Sequence, residues 1–283
     1  MKTSAKDTRS PEVREALDSP LPISGLGMSV FAAPFKGTPP NASVLLGVEL
    51  RGRDLRMGQN DQVQISYFAI DAQGKVRGGN TDSLTMNVKP ETKTRIAENG
   101  VRMLNRIDLP PGRYQLRVAA HDGGGGSIGS VLYDVTVPDF VKMPISMSGI
   151  ALTSVSSSGR PTVRPDEQLR MVLPASPVGN RTFPQNDEIA LFAEIYDNSA
   201  TTPHKVDITS TITTDEGKVM FKADDQRDSS ELGGRSGGYG YSAKIPLKDI
   251  APGRYVLTVS ARSRVSPNPT AERQVRITVA GPR

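Results

Sequence analysis

The chain has 283 residues, with 35 basic and 30 acidic side chains and a formal net charge of +5. At roughly 100–200 residues per domain this length suits two domains, and a composition 36% hydrophobic and 23% charged fits neither a disordered chain nor a membrane-embedded one. The absence of Cys excludes disulfides, thiolate metal sites and Cys nucleophiles, and with two His there is no His-rich metal centre.

The basic residues are dispersed among the acidic ones. The longest basic grouping is the spaced set Arg51, Arg53, Arg56. Nucleic-acid binders concentrate Lys and Arg on one face and interleave aromatics, so no nucleic-acid partner is expected. No stretch approaches the ~18 consecutive apolar residues of a membrane span. The first twenty residues are polar and lack the apolar core of a signal peptide. Taken alone, that N-terminus suggests a cytoplasmic protein, or a chain that begins partway through a longer one.

Gly (27) and Pro (22) together make about a sixth of the chain, a bias toward short elements joined by turns. In chain order, PEVREALDS (11–19) is a short helix candidate within a leader, 1–19. Strand-like runs follow at MSVFAAPF (28–35), SVLLGVEL (43–50) and VQISYFAID, where Val63, Ile65, Tyr67 and Ala69 alternate with polar residues. PETKTRIAENG (90–100) starts with Pro and ends in Asn-Gly, as a short helix does. RYQLRVAA puts Tyr114, Leu116, Val118 and Ala120 on one face; SVLYDVTVPDF does the same for Val131, Tyr133, Val135 and Val137. Further runs are EIALFAEIYD (188–197), VDITSTITT (206–214), KVMFKA (218–223) and VRITVA (275–280). Turn signals at Gln73-Gly74, Pro110-Pro111-Gly112, Glu216-Gly217 and Pro252-Gly253 separate them. The pattern predicts an all-β protein of two tandem immunoglobulin-like or fibronectin-III-like β-sandwiches, 20–141 and 145–281, behind the short leader.

The chain also repeats. DLPPGRYQLRVAA (108–120) matches DIAPGRYVLTVSA (249–261), with the two tyrosines 141 residues apart. Val131–Val137 corresponds to Arg273–Val279, and Asn60-Asp61-Gln62-Val63 echoes Asn186-Asp187-Glu188-Ile189. A period this long means two domains, not a solenoid. In the shared Pro-Gly-Arg-Tyr unit, Gly112 and Gly253 supply the turn, and Tyr114 and Tyr255 fit a tyrosine corner, a hydroxyl turned back to the upstream backbone. These four residues are expected to be structural. Residues 138–148 form a short linker, 154–165 a polar loop, and 226–241 a mobile Gly/Ser-rich loop.

Several chemical motifs match by accident. Gly125-Gly126-Ser127-Ile128-Gly129 fits the G-x-S-x-G elbow, but that elbow needs a strand before it and a helix after it; a strand follows here. Gly124, Gly126 and Gly129 fit G-x-G-x-x-G without the helix that presents N–H groups to a pyrophosphate. Asp224, Asp225, Asp228 and Glu231 are read as an acidic loop with oxygen ligands at spacings that could hold calcium, though no EF-hand register is present. His121-Asp122 is read as a surface pair, and His204 as a loop residue. No catalytic, metal or cofactor residue is expected. Tyr239 and Tyr241 are the one hint of an aromatic ligand loop.

Stretches along nearly the whole chain, from about residue 11 onward, resemble a known group. EALDSPLPISGLGMSVFAAPFKG (15–37), NASVLLGVEL (41–50), LPPGRYQLRVAAHD (109–122), GSVLYDVTVPDF (129–140), MSGIALTS (147–154), FPQNDEIALFAEIYDN (183–198) and APGRYVLTVSARS (251–263) look like the C-terminal half of bacterial von Willebrand factor A-related proteins, typical of acidobacterial genomes. The resemblance implies a longer, exported protein whose A-type domain lies outside this chain; the Asp-x-Ser-x-Ser adhesion motif of that domain is absent from these residues. It also implies a secreted, periplasmic or surface location. The expectation is a non-enzymatic accessory module that binds a protein partner through loops or a sheet edge. The alternative is a β-sandwich that binds carbohydrate or another small ligand.

Overall fold

The computed structural model describes residues 8–233, 240–265 and 267–282. The chain is all-β, built as two tandem β-sandwiches with three short α-helices among the described residues. In the first, β1 (Met28–Lys36), β2 (Ala42–Leu50), β5 (Val101–Leu109) and β10 (Thr162–Val163) form one sheet in the order β1-β2-β5-β10. The facing sheet runs β4-β3-β6-β7, from β3 (Gln62–Asp71), β4 (Val76–Thr85), β6 (Gly112–Asp122) and β7 (Ile128–Val137). The alternation seen in the sequence sets the core. Val63, Ile65, Tyr67 and Ala69 of β3 and Leu116, Val118 and Ala120 of β6 are all buried, facing Val44, Leu46 and Val48 of β2.

The second sandwich pairs β11 (Thr182–Pro184), β14 (Lys205–Thr214), β15 (Val219–Asp228), β17 (Gly253–Ser263) and β18 (Thr270–Ala280) in the order β11-β18-β17-β14-β15. Opposite lie β9 (Ala151–Ser154), β12 (Glu188–Ala193) and β16 (Tyr241–Pro246), ordered β16-β12-β9, with the small pair β8 (Ile145–Met147) and β13 (Ile195–Asp197). The expected linker thus contains a buried strand, and Phe140, Ile145 and Met147 are core residues.

Helix α1 (Pro11–Asp18) is capped by Ser10 and docks on the first sandwich: Val13, Ala16 and Leu17 pack on Ala119, and Arg117 donates to the Leu17 carbonyl at 2.8 Å. Helix α2 (Pro90–Asn99) stops at Gly100, whose φ of 77° is the left-handed conformation a C-terminal glycine supplies. Helix α3 (Glu167–Arg170) is capped by Asp166. Among the described residues no helix is long and apolar enough to cross a membrane.

The run SVLLGVEL is buried on both faces. Its even-numbered side feeds the first core, while Leu45 joins Phe31, Ala33, Phe35 and Leu104 in a second cluster with Ala151, Leu169, Leu173, Ala190 and Phe192. The two sandwiches therefore share an apolar contact, in which Phe35 and Phe192 stack at 6.3 Å. Gly47 is required here, since a Cβ would lie 1.9 Å from the Phe31 ring.

The repeat is real in three dimensions. Gly112 opposes Val137 and Tyr114 opposes Val135; Gly253 opposes Val279 and Tyr255 opposes Ile277. One part of the sequence alignment is corrected. The strand placed like β3 is β14, which pairs β15 and β17 as β3 pairs β4 and β6. Asn186–Ile189 instead opens β12, the counterpart of β2. The Asn-Asp echo arises from turn chemistry alone: Asp61 accepts from Gln62 N–H and Asp187 from Glu188 N–H, each at 2.8 Å.

The reading of the acidic segment as a loop is also corrected. Asp224, Asp225 and Asp228 lie on the extended edge strand β15, with Lys222–Asp224 and Arg227–Asp225 ion pairs, both 2.9 Å, along it. Charges on an edge strand discourage unwanted pairing. Alternate residues point to opposite faces, so the set does not converge.

Candidate functional site

A cleft of about 450 Å³ lies between the two sandwiches, walled by β1, β7 and β18 and by the segments around Ile150 and Gly179. Each wall strand has one backbone edge committed. β1 pairs along its length with β2; β7 pairs along its length with β6. β18 takes β17 throughout and β11 only at Thr278–Ala280, leaving Thr270–Ile277 paired on one side.

The cleft is lined by apolar residues such as Val30, Ala32 and Val135 and by three arginines, Arg181 and Arg273 together with Arg276 on the exposed face of β18; Asp134 is the one acidic residue among those lining it. Arg181 lies over the Phe31 ring, 5.4 Å from its centroid, and its Nη1 is buried without a hydrogen-bond partner. Burial pulls its pKa down to about 10, against the pull of Tyr133 and Glu49. Arg273 continues the face of β18 that carries Val275, Ile277 and Val279 into the core, and burial lowers its pKa too. A cation that is partly stripped of water and lacks a full partner set is poised for an anion. Chemically the cleft can hold a carboxylate against an apolar wall and offer the open Thr270–Ile277 edge of β18 to an extended segment.

Behind this wall a buried polar cluster joins the sandwiches. Glu49 accepts from Arg102 Nε at 2.8 Å, from Arg160 and from Asn180 N–H at 3.0 Å. Two arginines outweigh burial and hold its carboxyl below the usual range.

The sequence-predicted residues fall elsewhere. The Tyr114 hydroxyl donates to the Pro110 carbonyl at 2.8 Å and the Tyr255 hydroxyl to the Ala251 carbonyl at 2.7 Å. Gly112 and Gly253 lie under these rings: a Cβ would be 3.4 Å and 3.3 Å from ring atoms. Tyr239 lies outside the described residues. Tyr241 does not belong to a ligand loop: it is 2% exposed in the second core, its hydroxyl 3.0 Å from Ser210 Oγ, and burial raises its pKa. Ser127 lies in the β6–β7 connection, with no helix after it. Asp122 is fully buried, so His121-Asp122 is not a surface pair; His121 Nδ1 faces Glu12 at 3.9 Å. His204 is bound on both nitrogens, Nδ1 to the Thr202 carbonyl at 2.9 Å and Nε2 to Asp197 at 2.7 Å. With both ring nitrogens facing acceptors it has no free lone pair to act as a base.

The arginines of the cleft were missed because two segments far apart in sequence bring them together. Arg273 alone carried a signal, a charge on the apolar side of an alternating strand.

No family model matches the chain, and no curated protein matches it. Among solved structures, the chain is similar to Bacteroides uniformis beta-glucuronidase 2, at 12% identity over 84% of this chain and 26% of that one, with a TM-score of 0.33. It is also similar to dimeric latent PorU from Porphyromonas gingivalis, at 10% identity over 96% and 22%, TM-score 0.31. For fibronectin(III)-like modules of Clostridium thermocellum CbhA the values are 11% identity, 89% and 94%, and 0.24. The chain spans about a quarter of the length of the first of these. No activity carries across at such scores. The fold assignment rests on the chain's own sheets, which define a tandem β-sandwich protein with an arginine-lined cleft between its sandwiches.

Proposed function

We propose that the chain is a non-enzymatic interaction module that receives an extended acidic segment of a protein partner in the cleft between its sandwiches. The observation that carries this reading is Arg181: a desolvated guanidinium with an unpartnered nitrogen, in a cleft it shares with Arg273 and Arg276, where β18 keeps Thr270–Ile277 paired on one side and, among the described residues, the outer edges of β1 and β7 take backbone bonds only at Pro34 and at Ile128–Ser130. Strand addition supplies affinity through main-chain hydrogen bonds, and side-chain pockets supply specificity. The resemblance to von Willebrand factor A-related proteins supports an exported, extracytoplasmic setting within a longer molecule. The paired Tyr-to-carbonyl closures support reading Tyr114 and Tyr255 as tyrosine corners, structural in role.

A small acidic ligand is the second reading, favoured by the cleft volume, which falls within the ~300–1,000 Å³ of small-molecule sites.

The test is fluorescence anisotropy with a labelled peptide of alternating Glu and Val, against its Gln counterpart. The acidic peptide binds in a salt-dependent manner, and Arg181→Glu and Arg273→Glu each weaken it about tenfold or more. Equal affinity for both peptides, or indifference to both substitutions, overturns the reading. Binding of a free carboxylated sugar with no binding of the peptide favours the second.

A further inference from the structure

The internal repeat places one corner of the fold twice. In the second sandwich Val206 opposes Ser263, and His204 stands two residues before Val206. In the first, Val63 opposes Asp122, and Asp61 stands two residues before Val63. The second corner is electrically complete. The buried Asp197 carboxylate meets the His204 ring at 2.7 Å and is also bonded by Ser263.

The first corner has two acids and no such cation. Asp61 is 6% exposed and Asp122 not at all. Asp61 Oδ1 accepts from Gln62 N–H and Asp122 Oδ2 from Arg56 N–H, both at 2.8 Å. Asp61 Oδ2 and Asp122 Oδ1 are buried with no N–H or O–H donor, the two carboxyls lie within hydrogen-bond reach of each other, and Gly125 N–H also faces Asp122. The Arg56 guanidinium is directed to the Gly124 carbonyl, at 3.4 Å. Burial and then the neighbouring Asp61 push the Asp122 carboxyl upward. Two buried carboxylates side by side cannot both stay charged without a positive partner.

The run Gly123–Gly126 closes over this pair. A Cβ on Gly124 would lie 2.4 Å from the Asp61 carboxylate, and one on Gly125 2.5 Å from Asp122 Oδ2. The loop backbone is therefore laid directly on both acids at Gly124 and Gly125, while Gly126 takes a positive φ of 73°.

We propose that Asp61 and Asp122, beneath the Gly123–Gly126 loop, hold a hard divalent cation of the calcium type, which does for this corner what the His204 imidazolium does for its twin. Calcium accepts 6–8 oxygen ligands in adaptable geometry, whereas magnesium demands a near-ideal octahedron and keeps its water. The two orphaned carboxylate oxygens are its charged ligands, and loop carbonyls and water are its neutral ones. The ion ties the entry of β3 to the exit of β6. With two carboxylates the site belongs to the weak class, with Kd on the order of 10⁻⁴–10⁻³ M.

The test uses the full chain, stripped with EDTA, then titrated with calcium chloride by calorimetry and melted with and without the ion. Saturable heat and a higher melting midpoint are expected, with a weaker response to magnesium. Asp122→Asn and Asp61→Asn should each abolish both signals; either one that folds suffices. No heat and no shift in the wild type overturn the proposal. So does a wild type that gains stability from pH 7 to pH 5 while ignoring calcium, which marks a shared proton instead. Calcium binding that survives in the variants places the ion elsewhere and overturns it equally.

Discussion

Glu49 and Arg102 face each other across β2 and β5, 3% and 1% exposed, with Arg102 Nε 2.8 Å from Glu49 Oε1. The pair lies on the side of the sheet turned to the second sandwich, where Arg160 and Asn180 N–H complete the carboxylate, and Arg102 also donates to the Ser176 carbonyl at 3.0 Å. An ion pair at this depth is stabilising only while all its members are present.

Removing one member is therefore costly. Glu49→Gln leaves the buried Arg102 and the half-buried Arg160 without their counter-charge and should destabilise by about 3–5 kcal/mol. Urea unfolding of the purified variant measures this; a loss below about 1 kcal/mol means that water reaches the cluster.

His204 and Asp197 give a pH signature. Burial alone would lower the His204 pKa, but hydrogen bonds to Asp197 and Thr202 and the charges of Asp197 and Asp228 outweigh it and raise it above 6.5. Burial would raise Asp197; bonds from His204, Ser263 and Ser199 instead hold it below 3.8. The histidine contribution is complete below pH 6.5 and fades as pH climbs through its raised value. The aspartate contribution is complete above pH 3.8 and fades as pH falls through its lowered value. Stability owed to this pair is thus greatest between those limits. Melting curves from pH 5 to 9 should show a decline on the alkaline side that His204→Gln removes; an unchanged decline in that variant assigns it to another group.

The tyrosine hydroxyls should be worth a measurable amount. Tyr114→Phe and Tyr255→Phe each leave a carbonyl of the preceding turn without its donor, at about 1–2 kcal/mol. Chemical denaturation of each variant reads this directly, and a pair of unchanged midpoints would mean that solvent replaces the hydroxyl.

Core and inter-sandwich packing separate by size. Leu116→Ala and Leu257→Ala remove fully buried side chains, one from each core, and should each cost about 2–5 kcal/mol. Phe192→Ala empties the stack on Phe35 between the sandwiches and should cost about 3–5 kcal/mol. Loss of cooperativity in the Phe192→Ala calorimetric transition, split into two steps, is the expected mark of uncoupled sandwiches; a single sharp transition shows that the remaining contacts suffice.

Legibility in the sequence followed burial. β3, β6, β14 and β17 alternate because one face meets the core and the other does not, and the alternation marks them within a residue or two. β5 escaped because Val101–Leu104 is buried on both sides, which erases the period. β4 escaped as a polar edge strand interrupted by Gly78-Gly79, and Asp224–Asp228 was mistaken for a loop for the same reason. Asp61 and Asp122 look like ordinary turn acids in a linear reading; only the β3–β6 register brings them into one corner. The cleft arginines carry even less local signal, since Arg181 and Arg273 are far apart in sequence and are brought together only by the β11–β18 pairing of the second sandwich.

The parallel pairing of Thr162 and Val163 with Arg102 and Met103 has a consequence for synthesis. The first sandwich is left with an open sheet edge until a segment made after β8 and β9 of the second has emerged. On the ribosome its last strand arrives out of order, so the two halves mature as an interlocked product, and a truncation before residue 162 yields a half that must leave that edge to solvent or to another chain.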